Sequence, residues 1–395
     1  MRDHAARLHA AEQGKNFMDT SVVTDSNPAP CLPINPSLGS STRGAATARI
    51  AGVVAASVLV LLVAFSGHVG HARDRLSGEV QRVKMIGFTV ADVDREANFF
   101  AKVLQFEKVS DFRVVGSEYD KMQGVFNVNM RIVHLKLGEQ IVELTQYVSP
   151  PTGRPIPVPS YSNDAWFQHM AIVVSDMDAA YKILQESNVQ QISANPITIP
   201  ESNPGAAGIK AIKFRDPEGH DLELIYFPPG KGDPSWQKPA ADKLFLGLSH
   251  TAMTVASTDK GVTFYRDLLG LDVGGVTFNS GATQDVLDDL FNDTCLVTEM
   301  VPVSAPPHIE FLDYKTPPGG RLMPVDTRAN DLWHWQTTLV TKDIQAVTDR
   351  LRNAGAQFIT PDVVIIPHEA QAQLGFKKAV MVRDPNGHAI RLIEE

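Results

Sequence analysis

The chain has 395 residues, 43% hydrophobic and 21% charged, a balance that suits a folded protein and excludes a wholly disordered one. Its formal net charge is −9 and it carries no block of Lys or Arg, which argues against a nucleic-acid partner. Its two cysteines, Cys31 and Cys295, exclude a disulfide framework and a cysteine metal cluster.

Residues 1–49 are rich in Ser, Thr, Asn, Pro, Ala and Gly without a sustained apolar period, and read as a disordered or processed leader. Residues 50–66, IAGVVAASVLVLLVAFS, carry no charge and no proline. Their length is close to the lower limit for a bilayer span, about 17 residues. Two readings stand: the h-region of an export signal cut near Ser66 or Ala72, or an uncleaved membrane anchor. A buried core helix is the third. The first two predict a chain anchored to the membrane or exported, in a periplasmic or other extracytoplasmic location, reached through a linker over 67–81.

Four later segments share one grammar of short strand, Asp or Ser, then amphipathic helix: 85–104, 169–184, 250–269 and 336–351. Asp92, Asp176, Ser257 and Asp343 stand where a side-chain oxygen can cap the first helical turn. Three strands are expected after each helix. Asp216-Pro217-Glu218-Gly219 and Asp384-Pro385-Asn386-Gly387 have type I turn chemistry between the last two strands of modules two and four. His220 and His388, within these turns, are expected to stabilise them. The unit is βαβββ, four times over, in an α+β fold.

The modules are also duplicated in pairs. FRDPEGHDLELI (214–225) returns as VRDPNGHAIRLI (382–393), and GRPIPVPSYSNDAWFQH (153–169) as GRLMPVDTRANDLWHWQ (320–336). The offsets are 168 and 167 residues, so equivalent positions can be read from one copy to the other. Trp166, Trp333 and Trp335 precede first strands and read as core or cavity-wall residues.

With HMAIVVSDMD, HTAMTVASTD, FYRDLLGLDV and the two DPxGH turns, the chain from about Arg82 to Glu395 resembles the vicinal oxygen chelate superfamily. That superfamily holds glyoxalase I, extradiol dioxygenases, epimerases and bleomycin-binding proteins. The resemblance implies four modules paired into two cup-shaped mixed sheets, preceded here by the apolar N-terminal segment. Taking adjacent modules as partners gives one domain over 82–235 and a second over 244–395. It also implies metal ligands from first and last strands. The first-strand positions are Met85, His169, His250 and Gln336; His334 fails the repeat offset. The last-strand positions are Glu143, Glu223, Glu310 and Arg391.

Adjacent pairing groups Met85, Glu143, His169 and Glu223 in the first cup. His169, Glu143 and Glu223 would then bind a divalent metal such as Fe, Mn, Ni or Zn, with Glu143 or Glu223 doubling as the base. The second cup groups His250, Glu310, Gln336 and Arg391 as a weaker set. There Arg391 either pairs with Glu310 in place of a metal or binds an anionic group of the substrate. Neither set completes the four ligands of glyoxalase I, nor the two His and one Glu of extradiol enzymes. The expected function is a metalloprotein acting on a small oxygen-bearing substrate, of isomerase or lyase type. The alternatives are a non-catalytic small-molecule binding protein and an extradiol-type dioxygenase.

Overall fold

The computed structural model describes Leu76 and residues 79–395 apart from Ala241 and Gly319. The expectations for 1–49, for the apolar segment 50–66 and for most of the 67–81 linker fall outside the described residues. Among those described, no helix is long and apolar enough to cross a membrane.

The first module comprises β1 (Val80–Val90), α1 (Val93–Lys102), β2 (Glu107–Val115), α2 (Ser117–Gln123), β3 (Asn129–Leu137) and β4 (Gln140–Ser149). The second comprises β5 (Gln168–Val174), α3 (Met177–Glu186), β6 (Gln190–Gln191), β7 (Ile197–Thr198), β8 (Lys210–Arg215) and β9 (Asp221–Tyr226). In the third, β10 (Phe245–Thr254) leads to α4 (Thr258–Val262), a π-helical turn over Thr263–Leu268, β11 (Asp272–Ser280), α5 (Ala282–Asp288), β12 (Thr294–Val301) and β13 (His308–Thr316). The fourth comprises β14 (Trp335–Thr341), α6 (Ile344–Asn353), β15 (Gln357–Phe358), β16 (Val364–Ile365), α7 (His368–Leu374), β17 (Lys378–Arg383) and β18 (Ala389–Glu394). The short helices α2, α5 and α7 are additions to the expected βαβββ pattern. In modules two and four the second strand is reduced to two short pieces.

The local signals act as their chemistry requires. Asp92, Asp176, Ser257 and Asp343 each cap a helix by accepting from backbone N–H groups of its first turn. Asp216 Oδ1 accepts from the N–H groups of Glu218 and His220, and Asp384 Oδ1 from those of Asn386 and His388. Gly219 (φ 96°) and Gly387 (φ 99°) take the left-handed backbone that closes each turn. His220 Nε2 reaches the carbonyls of Thr89 and Leu332 at 2.9 Å, and His388 Nε2 that of Thr254 at 2.9 Å. Each turn histidine thus stitches its module to the preceding one.

The modules form two nine-stranded sheets. One runs β15-β17-β18-β14-β1-β4-β3-β2 and the other β11-β12-β13-β10-β5-β9-β8-β6, with β16 and β7 attached beside β17 and β8. Module one therefore shares its sheet with module four, through antiparallel β1 and β14, and module two with module three, through antiparallel β5 and β10. This corrects the expectation that sequence neighbours share a cup. One apolar core takes Phe88, Leu144, Leu339 and Leu392 from the first sheet and Ile172, Leu224, Ile309 and Phe311 from the second, with α1, α3 and α6 contributing Phe100, Leu184 and Leu351.

The long repeated segment gives a physical reason for this exchange. It forms the two crossings between the sheets, and each copy holds the other. Arg154 donates to Asp331 through its backbone N–H, Nε and Nη2, and Arg321 makes the same set of bonds to Asp164. Each guanidinium also covers a tryptophan of the opposite crossing, Arg154 over Trp333 at 4.7 Å and Arg321 over Trp166 at 4.4 Å.

Burial would raise the Asp331 and Asp164 carboxyls, but the arginine and backbone donors hold both below the ordinary value. Their contribution to stability is present above the unfolded-state value, about 3.9, and is lost as pH falls through the lower folded value. Asp331→Ala removes this anchor and leaves the N–H groups of Arg154 and Arg328 unpaired. It should cost about 3 kcal/mol in a denaturant titration near pH 7, with a smaller loss near pH 3.

Candidate metal centre

The two-residue period of a strand separates core from cup. In β5, Met170, Ile172 and Val174 enter the shared core, which turns His169 and Ala171 to the opposite face. In β9, Leu222 and Leu224 do the same and expose Glu223 to the cup; in β13, Ile309 and Phe311 turn out Glu310. The β5–β10 register is reciprocal, with His169 opposite Ala252 and Ala171 opposite His250. The flanking parallel pairs set Glu223 beside Ala171 and Glu310 beside Ala252. One cup thus receives one imidazole and one carboxylate from each of modules two and three, around a local twofold.

His169 Nε2 lies 2.9 Å from Glu223 Oε2, and His250 Nε2 lies 3.5 Å from the same oxygen. On the other side, His250 Nδ1 lies 3.5 Å from Glu310 Oε1. His169, Glu223 and His250 are buried, and Glu310 retains 15% side-chain exposure. Despite its closeness to Glu223, His169 is out of line for a hydrogen bond, so neither ring nitrogen has a hydrogen-bond partner among the described residues. His169, Glu223 and His250 bring one donor atom each within 4.8 Å of one another, with one imidazole buried and without a hydrogen bond, a set that fits a divalent cation; Glu310 stands on the other side of the His250 ring.

The electrostatics agree. Burial pushes the Glu223 carboxyl up, but His169, His250 and Lys213 outweigh this and hold it below the carboxylate range. Glu310 is likewise lowered, to about 2, by His250 and His308 against the effect of burial. Burial depresses His169, whereas Glu310 and Glu223 raise His250 despite its burial. Two carboxylates flanking His250 thus favour its protonated form, the form that supplies a local countercharge. A metal ion taking that role would displace its proton.

The expected ligand sets are accordingly redistributed. Glu143 does not join His169 and Glu223, and Gln336 does not join His250 and Glu310, because both belong to the β1–β14 sheet. There Arg391 pairs with Glu143, not with Glu310: Nη1 and Nη2 bind Oε1 and Oε2 at 2.9 and 3.0 Å. Gln336 Nε2 donates to Glu143 at 2.7 Å, and His134 Nε2 lies 3.2 Å away. The guanidinium occupies the place of a cation. Around it, Met85, Tyr119, Met122, Leu374 and Phe376 fill the cup as a second apolar core. Arg391 and Glu143 are both fully buried, which leaves Arg391 no opening toward a substrate anion and Glu143 none as a base.

Two residues beside the centre escaped the sequence reading. Lys213, directly across β8–β9 from Glu223, is buried and ion-paired with Asp288 at the end of α5. His308, two residues before Glu310, lies on the same face, with Nε2 3.0 Å from Glu310 Oε1. Strand alternation locates His308, and the symmetry of the DPEG hairpin locates Lys213. Two cavities of about 550 and 590 Å³ elsewhere are lined by neither these residues nor the four donors.

The family model described as Glyoxalase/Bleomycin resistance protein/Dioxygenase superfamily matches residues 82–224 and again 247–392. A 2-epi-5-epi-valiolone epimerase from Actinomyces sp. is 32% identical over 154 residues, 38% of this chain and 80% of that protein. Among solved structures, a glyoxalase I mutant from Zea mays superposes with a TM-score of 0.52 at 15% identity, covering 80% of this chain and 94% of that one. A second mutant of that protein gives 0.50 at 16%, covering 79% and 92%. At such identities the structural likeness shows the fold.

The sealed cup makes its own prediction. Arg391→Met alone strands a buried Glu143 carboxylate and should cost about 3–5 kcal/mol in urea unfolding. The double variant Glu143→Gln/Arg391→Met should recover most of that loss. A double variant as unstable as the single one would contradict a mutually compensating pair.

Proposed function

Because the chain belongs to the glyoxalase/bleomycin resistance protein/dioxygenase superfamily, we propose that its β5–β10 cup binds one divalent metal ion and that the chain is a metal-dependent epimerase or isomerase of a small hydroxyketone. The observation that carries this reading is the trio His169, Glu223 and His250, whose donor atoms lie within 4.8 Å of one another, with Glu310 beside His250, so that each half of the duplicated chain contributes an imidazole and a carboxylate. Fe, Mn, Ni and Zn all suit two imidazoles and two carboxylates. When bound, the ion supplies a Lewis acid that polarises a carbonyl and makes the adjoining C–H more acidic.

The protein groups then account for the proton. Glu223 and Glu310 face the site from modules related by the local twofold. One carboxylate accepts the proton from one face of the carbon and later releases it to solvent; the other takes a proton from solvent water and delivers it to the opposite face. The same C–H bond is broken and remade with inverted configuration, so no oxidant and no leaving group is needed. Glu310 remains ionised above about pH 2 and is the more exposed of the two, which suits it to meet the substrate. The likeness to an epimerase whose named compound is a ketone supports this reaction class. Two imidazoles and one carboxylate also form a set used for oxygen chemistry. The second carboxylate favours proton transfer because it provides a second acid–base group.

Solvent exchange tests the reading whatever the product is. Small α-hydroxyketones incubated with the metal-loaded chain in D₂O should gain deuterium at the carbon beside the carbonyl, followed by NMR. Glu223→Gln and Glu310→Gln should each slow the exchange by roughly 10²-fold or more, the usual contribution of a positioned acid–base group. Absence of exchange across the panel, with oxygen consumption in its place, would overturn the isomerase reading in favour of a dioxygenase.

A further inference from the structure

We propose that His308 is a third imidazole ligand of the metal centre, outside the pattern of one donor from each first and last strand. The inference rests on the metal-binding reading of the β5–β10 cup. His308 faces His250 directly across the parallel β10–β13 pair and precedes Glu310 by two residues, so all three side chains share one face. Its Nε2 lies 3.0 Å from Glu310 Oε1, and His250 Nδ1 lies 3.5 Å from that oxygen. The donor atoms of His250, His308 and Glu310 all fall within 4.8 Å of one another, as do those of His169, Glu223 and His250. Metal–ligand bonds of about 2.0–2.2 Å place opposite donors a little over 4 Å apart, so the spacing within each trio needs only small side-chain movement; one ion shared by both trios also requires the His250 ring, whose Nε2 faces Glu223 and Nδ1 faces Glu310, to turn.

The repeats show that the fold does not require a histidine here. The corresponding positions two residues before Glu143, Glu223 and Arg391 are Ile141, Asp221 and Ala389. Asp221 is already engaged by Arg215 at 3.1 Å. His308, by contrast, pairs with Glu310 and meets the His250 ring, and its 17% side-chain exposure places it on the solvent side of the cluster. Five protein donors leave one open position on a six-coordinate ion. A substrate binding through two oxygens must then displace one of them, and His308 is the most exposed. A third imidazole also shifts preference from Mg or Mn toward Zn, Ni, Co or Cu.

The test uses Co²⁺ alone with the full chain, its histidines labelled with ¹⁵N. Imidazole rings bound to Co²⁺ give strongly shifted ring N–H and C–H resonances that can be counted. Three shifted rings are expected in the unsubstituted chain and two in His308→Gln. Two rings in the unsubstituted chain, unchanged in His308→Gln, would overturn the proposal and leave the metal centre standing, with His308 only a hydrogen-bond partner of Glu310. No shifted ring at saturating cobalt would overturn both. The count in the unsubstituted chain decides the matter even if the variant folds poorly.

Discussion

The reciprocal hold between the two inter-sheet crossings is the constraint on which the remaining architecture depends. Arg154 grips Asp331 and Arg321 grips Asp164, each through backbone and guanidinium together, and each guanidinium lies on a tryptophan of the opposite crossing. Each crossing thus supplies the carboxylate and the ring that hold the arginine of the other. The chain therefore leaves the first sheet after module one, builds modules two and three together, and returns for module four. That route brings β5 against β10, and with them two imidazoles and two carboxylates to one cup.

The two cups solve the same electrostatic problem differently. Buried carboxylates need a counter-cation, because an uncompensated charge in a low-dielectric interior is costly. In the β1–β14 cup the chain supplies its own in Arg391, and apolar side chains from α2 and α7 close over the pair. In the β5–β10 cup Glu310 and Glu223 favour the protonated form of His250 against its burial, and Lys213 stands across β8–β9 from Glu223. A guanidinium cannot give up its charge, whereas an imidazolium can lose its proton to make room for a metal. One half of the fold thus serves as a filled scaffold and the other keeps exchangeable chemistry.

Much of this was legible in the residues. Helix caps and DPxG turns depend on short-range chemistry that is visible in sequence, while the eight inward positions came from the family resemblance. The family resemblance carried the cup architecture. What could not be read was which modules share a sheet, because β5–β10 and β1–β14 pairing is decided by contacts far apart in the chain. The GR…ND…W segment was usable as a ruler, yet its Arg and Asp also carried the answer, since each copy bears one half of a complementary pair. Misgrouping the modules separated His169 from His250 and made each cup look one donor short. His308 was passed over because the expected ligands were confined to one position on each first and last strand.

The central claim is that one metal centre is assembled from both halves of the duplicated chain. The most direct measurement is divalent metal per chain, by elemental analysis of the full chain and of its His169→Ala and His250→Ala variants after reconstitution. This account predicts one ion per chain, lost in both variants, although the two histidines belong to different repeats. Two ions per chain, or retention in one variant and loss in the other, would contradict it.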